Sequence, residues 1–296
     1  MKIGITGASG FLGGEILSQA REKSWEVVAF SRSGNPVEGA DETRSLEDRE
    51  NINLEGLDGV IHLAGEPIVG LWTKDKKRRI RDSRIDLTGD LVQTMAGISR
   101  TRRPAVFVCA SAVGYYGDRG DEWLDEETDP GFGFLPGLCR EWEETAADAT
   151  RLGVRVVHPR IGLVLGREGL LRRLRPIFRF GLGGRLGSGR QWMSWIHVED
   201  LARLFLTCVE ETRLHGRVNC VSPEPVRNRE FTQVYASVLR RKAILPAPEW
   251  LLKSLPGGMG ELFMASQRVD PVVAKAFGFD YSFPRLEEAL RDIEEG

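Results

Sequence analysis

The sequence predicts an α/β protein, a doubly wound parallel sheet followed by a smaller, mostly helical C-terminal lobe. Three observations carry this. The first half alternates short apolar runs with amphipathic stretches, the pattern of buried parallel strands covered by helices. The first apolar run leads directly into Gly7-Ala8-Ser9-Gly10-Phe11-Leu12-Gly13. After about Gly166 the composition shifts to a glycine-rich tract and short segments broken by Pro246, Pro248, Pro256 and Gly257–Gly258.

Taken in order, Lys2–Thr6 reads as the first strand, Gly14–Glu22 as the helix behind the glycine loop, and Glu26–Ser31 as the second strand. A weak third strand is placed at Asp41–Arg44, mainly by topology. DGVIHLA (Asp58–Ala64) and AVFVCAS (Ala105–Ser111) are further buried strands, separated by a long helix from about Lys74 to Ser99. Pro136–Leu152 has helical spacing and Val154–Arg160 returns as strand. Beyond it, a basic helix precedes the loop GLGGRLGSG (Gly181–Gly189), which leads to a strand at Met193–Val198. A helix then starts at Glu199, a strand follows at Arg217–Val221, and Asn228 is placed as the N-cap of another helix. The division is 1–165 for the first domain and 166–296 for a substrate-binding lobe partly interleaved with it.

Apolar residues make up 41% of the 296 residues and charged ones 28%, ordinary for a globular protein, and the formal net charge is −2. That balance gives no electrostatic reason to expect nucleic acid or an anionic membrane as partner. No apolar run approaches a bilayer span, and no signal peptide is expected. The four cysteines, Cys109, Cys139, Cys208 and Cys220, form no CxxC or Cys/His cluster. Free buried thiols in a reducing, cytoplasmic setting are expected, and no metal site.

The glycine loop carries the first functional reading. Strand, Gly7-x-x-Gly10-x-x-Gly13 and helix in succession form the phosphate-binding turn of a Rossmann domain. Gly7 allows the tight turn, Gly10 lets the backbone approach a pyrophosphate, and Gly13 lets the helix pack closely on the strand. Ser9, Phe11 and Leu12 belong to the same dinucleotide-binding turn. The end of the second strand selects the cofactor. An NAD site wants a carboxylate there, whereas this chain reads Ser31-Arg32-Ser33, with no acid until Glu38. A guanidinium between two hydroxyls suits a 2′-phosphate, so NADP(H) is favoured over NAD(H); the alternative is a solvated turn arginine.

With these pieces placed, the chain resembles an extended short-chain dehydrogenase/reductase of the epimerase/dehydratase superfamily. The shared marks are TGASGFLG (Thr6–Gly13), DGVIHLAG (Asp58–Gly65), Ser111 followed by Tyr116-Gly117, and WIHVEDLA (Trp195–Ala202). More narrowly it is similar to an atypical branch of "epimerase family" proteins that includes the human short-chain reductase family 39U member. That likeness rests on HLAGEPI (His62–Ile68), RDSRI (Arg81–Ile85), SAVGYYG (Ser111–Gly117), CREWE (Cys139–Glu143), PRIGLVLG (Pro159–Gly166), the tract Gly181–Ala202 and YSFP (Tyr281–Pro284). The resemblance implies that Leu63, Ala64, Gly65 and Glu66 face the cofactor, joined by Arg160.

It also implies catalysis by a serine, a tyrosine and a lysine, the last two four apart on one helix. Here the sequence departs. Residues four beyond Tyr115, Tyr116, Tyr235 and Tyr281 are Arg119, Gly120, Leu239 and Arg285, and no lysine lies between Lys77 and Lys242. Aligned on Glu143, the helix places Leu135 where the tyrosine would stand and Cys139 where the lysine would. Ser111 matches the serine, or caps a strand end. Tyr115 and Tyr116 are candidate substitute acids, or packed aromatics. Cys139 reads as a small buried hydrophobe and His197 as structural. Arg81, Arg84, Arg160 and Arg185 are each an anion anchor or a salt-bridge partner, and Lys76-Lys77-Arg78-Arg79 is the wet face of a helix.

Two functions follow. One is an NADP-dependent oxidoreductase or epimerase acting on a small polar molecule, either neutral or anionic. The other is a catalytically weak NADP(H)-binding sensor or docking protein. Either is expected as a monomer or homodimer.

Overall fold

The computed structural model describes residues 1–254 and 259–296. Its first half is a run of strand–helix units. The strands are β1 (Lys2–Thr6), β2 (Glu26–Ser31), β3 (Glu42–Ser45), β4 (Gly59–His62), β5 (Val106–Cys109) and β6 (Ser111–Ala112). Helices α1 (Phe11–Glu22) and α2 (Lys74–Gly97) fall between them. There follow β7 (Trp123–Leu124), α3 (Phe134–Ala147), β8 (Arg155–Ile161), β9 (Leu163–Leu165), α4 (Gly169–Arg179), β10 (Trp192–Met193) and β11 (Trp195–His197). The chain continues through α5 (Val198–Glu210), β12 (Gly216–Cys220), β13 (Val226–Arg227), α6 (Asn228–Val238) and α7 (Glu249–Lys253). It ends with α8 (Met259–Met264), β14 (Arg268–Val269), α9 (Val272–Phe277) and α10 (Leu286–Glu295).

The main sheet has the order β12-β8-β5-β4-β1-β2-β3, with β6 continuing alongside β8. All of its pairings are parallel. Strands buried on both faces need continuous apolar runs, and β1, β2, β4 and β5 supply them. The order reverses at β1: β2 and β3 lie to one side, β4 and β5 to the other. The carboxyl ends of β1 and β4 therefore flank the crevice where such sheets bind ligands.

The last strand of this sheet, β12, comes from beyond residue 166, and α5 packs into the same core through Leu201, Leu204 and Phe205. The main sheet is thus completed by a strand from the second half of the chain. A second cluster of buried residues gathers Leu171, Phe178, Trp195, Phe231, Tyr235 and Leu290. Among the described residues no helix is long and apolar enough to cross a membrane.

Several boundaries differ from expectation. α1 starts at Phe11, three residues early, because Gly10 is the helix cap. The strand expected over Met193–Val198 breaks at Ser194, which turns aside to bond the C-terminal segment: its hydroxyl donates to the Gln267 carbonyl (2.8 Å) and accepts from Val269 N–H (2.9 Å). Asn228 is not a cap but the first residue of α6. Its side-chain carbonyl accepts from Leu186 N–H (2.8 Å), which pins the glycine-rich loop instead. The YSFP segment is held by buried Asp200, which accepts from the amides of Ser282 and Phe283 (both 2.9 Å). Pro248 caps α7 as a breaker should; Pro256 and Gly257–Gly258 lie outside the described residues.

Candidate active site in a glycine-loop cleft

A cavity of about 380 Å³ opens at the carboxyl edge of the sheet, walled on one side by Gly7, Gly10, Phe11, Leu12 and Gly13. The loop is built for close approach. Gly7 has φ +75°, a conformation that favours glycine. A Cβ on Gly13 would stand 2.2 Å from the Gly7 carbonyl oxygen and 2.7 Å from Ala8 Cα, so only glycine lets α1 start there. Gly10 caps α1 without a side-chain acceptor, and the first turn carries no acid. The opening N–H groups and the positive end of the helix dipole therefore face the cavity unsatisfied, the condition for holding a phosphate anion. Ser9 is exposed and does not line the cavity.

The second wall is tied to the first through Thr6. Its hydroxyl lies 2.6 Å from His62 Nδ1 and accepts from the amides of Leu63 and Ala64 (3.2 Å each). With both lone pairs so used, the hydroxyl proton goes to Nδ1 and the imidazole proton sits on Nε2. Burial pushes His62 down to about 3, so the ring is neutral. The sequence reasoning missed this clamp, although its two halves are the Thr6 and His62 of the quoted motifs. Leu63 lines the cavity and Ala64 packs against Gly7.

At the other end of the crevice Arg32 and Ser33 are exposed beyond β2 and Ser31 is half-buried. The Ser31 hydroxyl donates to the Asn35 carbonyl (3.3 Å), and Ser33 Oγ accepts from Asn35 N–H (3.4 Å). Among the described residues no carboxylate lies within 4 Å of Arg32, so its guanidinium is open to a ligand.

Over β5 and β6, Ser111 lines the cavity and donates to Glu143 Oε1 at 2.6 Å. Glu143 is held in turn by Arg160 through two bonds of 2.9 Å, Nε to Oε1 and Nη2 to Oε2. Three expectations are corrected here. Arg160 is fully buried, its third nitrogen donates to the Tyr116 hydroxyl (3.0 Å), and its guanidinium stacks 3.5 Å from the Tyr115 ring centroid, so no cofactor reaches it. Tyr116 is fully buried, its hydroxyl 2.6 Å from Asn219 Oδ1 and 2.8 Å from the Asp125 carbonyl, and burial pushes it up to about 12. Tyr115 is buried edge-on to Tyr116, and neither ring lines the cavity. A short 3-10 turn at Val113–Tyr116 rotates both inward. They pack; they do not present a phenol to a ligand.

Leu135, Leu138, Cys139 and Trp142 do line it, one apolar face of α3. The positions where a tyrosine and lysine would stand therefore face the cavity carrying Leu135 and a thiol that burial pushes up to about 12. Glu66 is a fourth correction. Its carboxylate bonds Lys76 (2.6 Å), lies 3.6 Å from Arg79 Nε and is turned away from the cavity toward α2. Lys76 is thereby more than a wet-face residue. Gly65 instead backs the guanidinium of Arg84, which enters the cavity from α2. His197 is structural: it caps α5 by accepting from Glu199 N–H (3.3 Å) and packs on Phe283.

A second cavity of about 460 Å³ shares Gly114 and Leu135 with the first and runs past Asp118, Met264 and Gln267. The four cysteines are free and buried. Among the described residues no group of three or more His, Cys, Asp or Glu is placed to hold a metal ion.

Comparison with known proteins adds five findings. Residues 3–220 match the NAD dependent epimerase/dehydratase family, and residues 247–293 match a domain of unknown function, DUF1731. The chain is 37% identical to an Arabidopsis thaliana protein named epimerase family protein SDR39U1 homolog, chloroplastic, over 99% of this chain and 86% of that one. It is 33% identical to the epimerase family protein YfhF of Bacillus subtilis, over 99% and 98%. Among solved structures, human epimerase family protein SDR39U1 (isoform 2), crystallised with NADPH, superposes with a TM-score of 0.92 at 30% identity, covering all of both chains.

Proposed function

The chain belongs to the NAD dependent epimerase/dehydratase family, and from that premise we propose that it binds NADP(H) in the glycine-loop cleft and exchanges hydride with a small polar substrate. One observation carries the reading: a cavity that joins an uncapped helix N-terminus to a buried serine at the carboxyl edge of the sheet. The loop amides hold the pyrophosphate, Arg32 with Ser31 and Ser33 takes the 2′-phosphate, and the Leu63–Gly65 turn borders the nicotinamide half. The human relative crystallised with NADPH supports the same cofactor. Bound NADPH supplies the hydride.

Ser111 is the only hydroxyl side chain lining the cavity among the described residues. Since it donates its own proton to Glu143, Ser111 Oγ keeps a lone pair with which to accept from a substrate hydroxyl. During oxidation the substrate proton passes to Ser111 Oγ as the serine proton passes to Glu143; reduction runs the relay backward. Arg160 keeps a positive charge beside the carboxylate throughout. Cytoplasmic residence fits four buried free thiols.

A second reading, a catalytically weak NADP(H)-binding sensor, is favoured by Leu135 and Cys139 at the positions of the usual dyad. The experiment that separates the two is NADPH titration followed by steady-state NADPH oxidation across a carbonyl panel. Binding with turnover of one carbonyl class supports the enzyme; tight binding with none supports the sensor; absence of binding overturns both.

A further inference from the structure

Of the four arginines that the sequence offers as anion anchors, the structure disposes of three. Arg81 pairs with Glu141 on the surface. Arg160 is spent on Glu143. Arg185 bonds the Ser188 carbonyl (3.1 Å) on an exposed loop. Arg84 is different. It is only 9% exposed, lines the cavity, and has no carboxylate within 4 Å among the described residues.

Its setting fixes the guanidinium without neutralising it. Nη1 donates to the carbonyls of Glu66 and Ile80, both at 3.1 Å. One face is backed by Gly65, where a Cβ would stand 2.9–3.1 Å from the guanidinium atoms. Trp142 packs beside it, with 5.2 Å between the guanidinium carbon and the ring centroid. The acid nearest in sequence to this contact, Glu66, is already committed to Lys76 and Arg79. Cys139, in the same cavity, is held as a neutral thiol by burial. A desolvated cation without a counter-ion is costly, and one aimed into a cavity gains most from an anion bound there. Among the described residues Nε and Nη2 have no hydrogen-bond partner and remain for a planar, bidentate acceptor.

We infer that Arg84 binds an ionised group of the substrate, so that the substrate is a small carbonyl or hydroxy compound carrying a carboxylate or a similar oxyanion. This rests on the cofactor reading above and adds the substrate class to it. The placement is chemically apt. Sheet order puts the adenine half of a dinucleotide over β2, which leaves the side over β4 and β5, where Arg84 and Ser111 both reach the cavity, for the nicotinamide and substrate. The remaining walls, Ile68, Leu135, Leu138 and Trp142, are apolar and exclude water from the contact.

The test uses the NADPH-saturated full-length protein with oxamate, a small planar carboxylate, and oxamide, its uncharged counterpart. Affinity is read by thermal shift at constant ionic strength and by fluorescence of bound NADPH. Oxamate is expected to bind the wild type at least about tenfold more tightly than oxamide, and Arg84→Met to weaken oxamate by about 10–100-fold, the worth of a charge-assisted bond. Arg84→Lys should fall between them, which guards against a folding defect in the first variant. NADPH affinity, measured separately, should change by less than about threefold in both variants. Equal binding of oxamate and oxamide by the wild type, or oxamate binding that survives Arg84→Met, overturns the inference. A fall in NADPH affinity as large as the fall for oxamate overturns it too, placing the guanidinium on the cofactor pyrophosphate. Failure of the wild type to bind NADPH is a separate result, which removes the cofactor reading itself.

Discussion

Ser111 Oγ donates to Glu143 Oε1 across 2.6 Å, joining a cavity-lining hydroxyl to a carboxylate that a fully buried arginine clamps from behind. If this pair moves the substrate proton, Ser111→Ala removes the only hydroxyl lining the cavity among the described residues. Turnover of any accepted substrate should then fall by about 10²–10⁴-fold, the usual worth of a positioned acid or base. NADPH affinity, measured by titration, should hardly change. Undiminished turnover would exclude the relay.

The clamp itself sets a stability prediction. Arg160→Met leaves Glu143 buried without its bidentate partner and should cost about 3–5 kcal/mol in urea unfolding. Adding Glu143→Leu to that variant should restore part of the loss, because the stranded charge is gone. A double mutant no more stable than the single would show that the pair is not coupled in this way.

The buried tyrosines give a contrasting outcome. Tyr115→Phe and Tyr116→Phe together should leave turnover within a few-fold of wild type, since neither ring lines the cavity. Tyr116→Phe should nonetheless destabilise the fold by about 1–3 kcal/mol, through the partners it leaves unsatisfied at Asn219 and Arg160. A turnover loss of a hundredfold without a stability loss would return the tyrosines to the chemistry.

Three buried histidines, His62, His158 and His197, are each held below their ordinary value by burial and make the fold acid-sensitive. Burial lowers His62 to about 3 and His158 to about 4, both below the unfolded value of 6.5. Each is neutral when folded and protonated when unfolded, so its stabilisation is intact above pH 6.5 and is lost as pH falls toward the folded value. Between pH 7 and pH 5 each should withdraw about 2 kcal/mol. Urea unfolding across that range should show the fall, and His158→Leu should reduce it by about 2 kcal/mol. An unchanged slope would exclude His158 as a source.

What the sequence made legible, and what it did not, follows from the range of the interactions. Apolar runs such as VVAF and VFVC announce parallel strands, and a strand that ends in Gly7-x-x-Gly10-x-x-Gly13 announces its own turn, because these are local facts. The partner of Arg160 is not local: Glu143 lies 17 residues away on α3, and only the packing of that helix on β8 brings them together. The tyrosine pair sits where a sheet of this kind binds ligands, but the short turn at Val113–Tyr116 decides where the rings point. Arg84 was one of four equivalent arginines in sequence. Its helix face sets it apart, together with the missing side chain at Gly65.

The cofactor claim is the one on which the rest depends, and parallel titrations with NADPH and NADH test it most directly. The wild type should prefer NADPH, and Arg32→Ala should erode that preference by about 1.5–3 kcal/mol, as loss of a charge-assisted phosphate contact requires, leaving NADH affinity nearly unchanged. Gly10→Val, whose side chain fills the approach to the pyrophosphate, should abolish binding of both while the circular dichroism stays native. Equal wild-type affinity for the two cofactors, or a preference for NADPH that survives Arg32→Ala intact, would contradict the account.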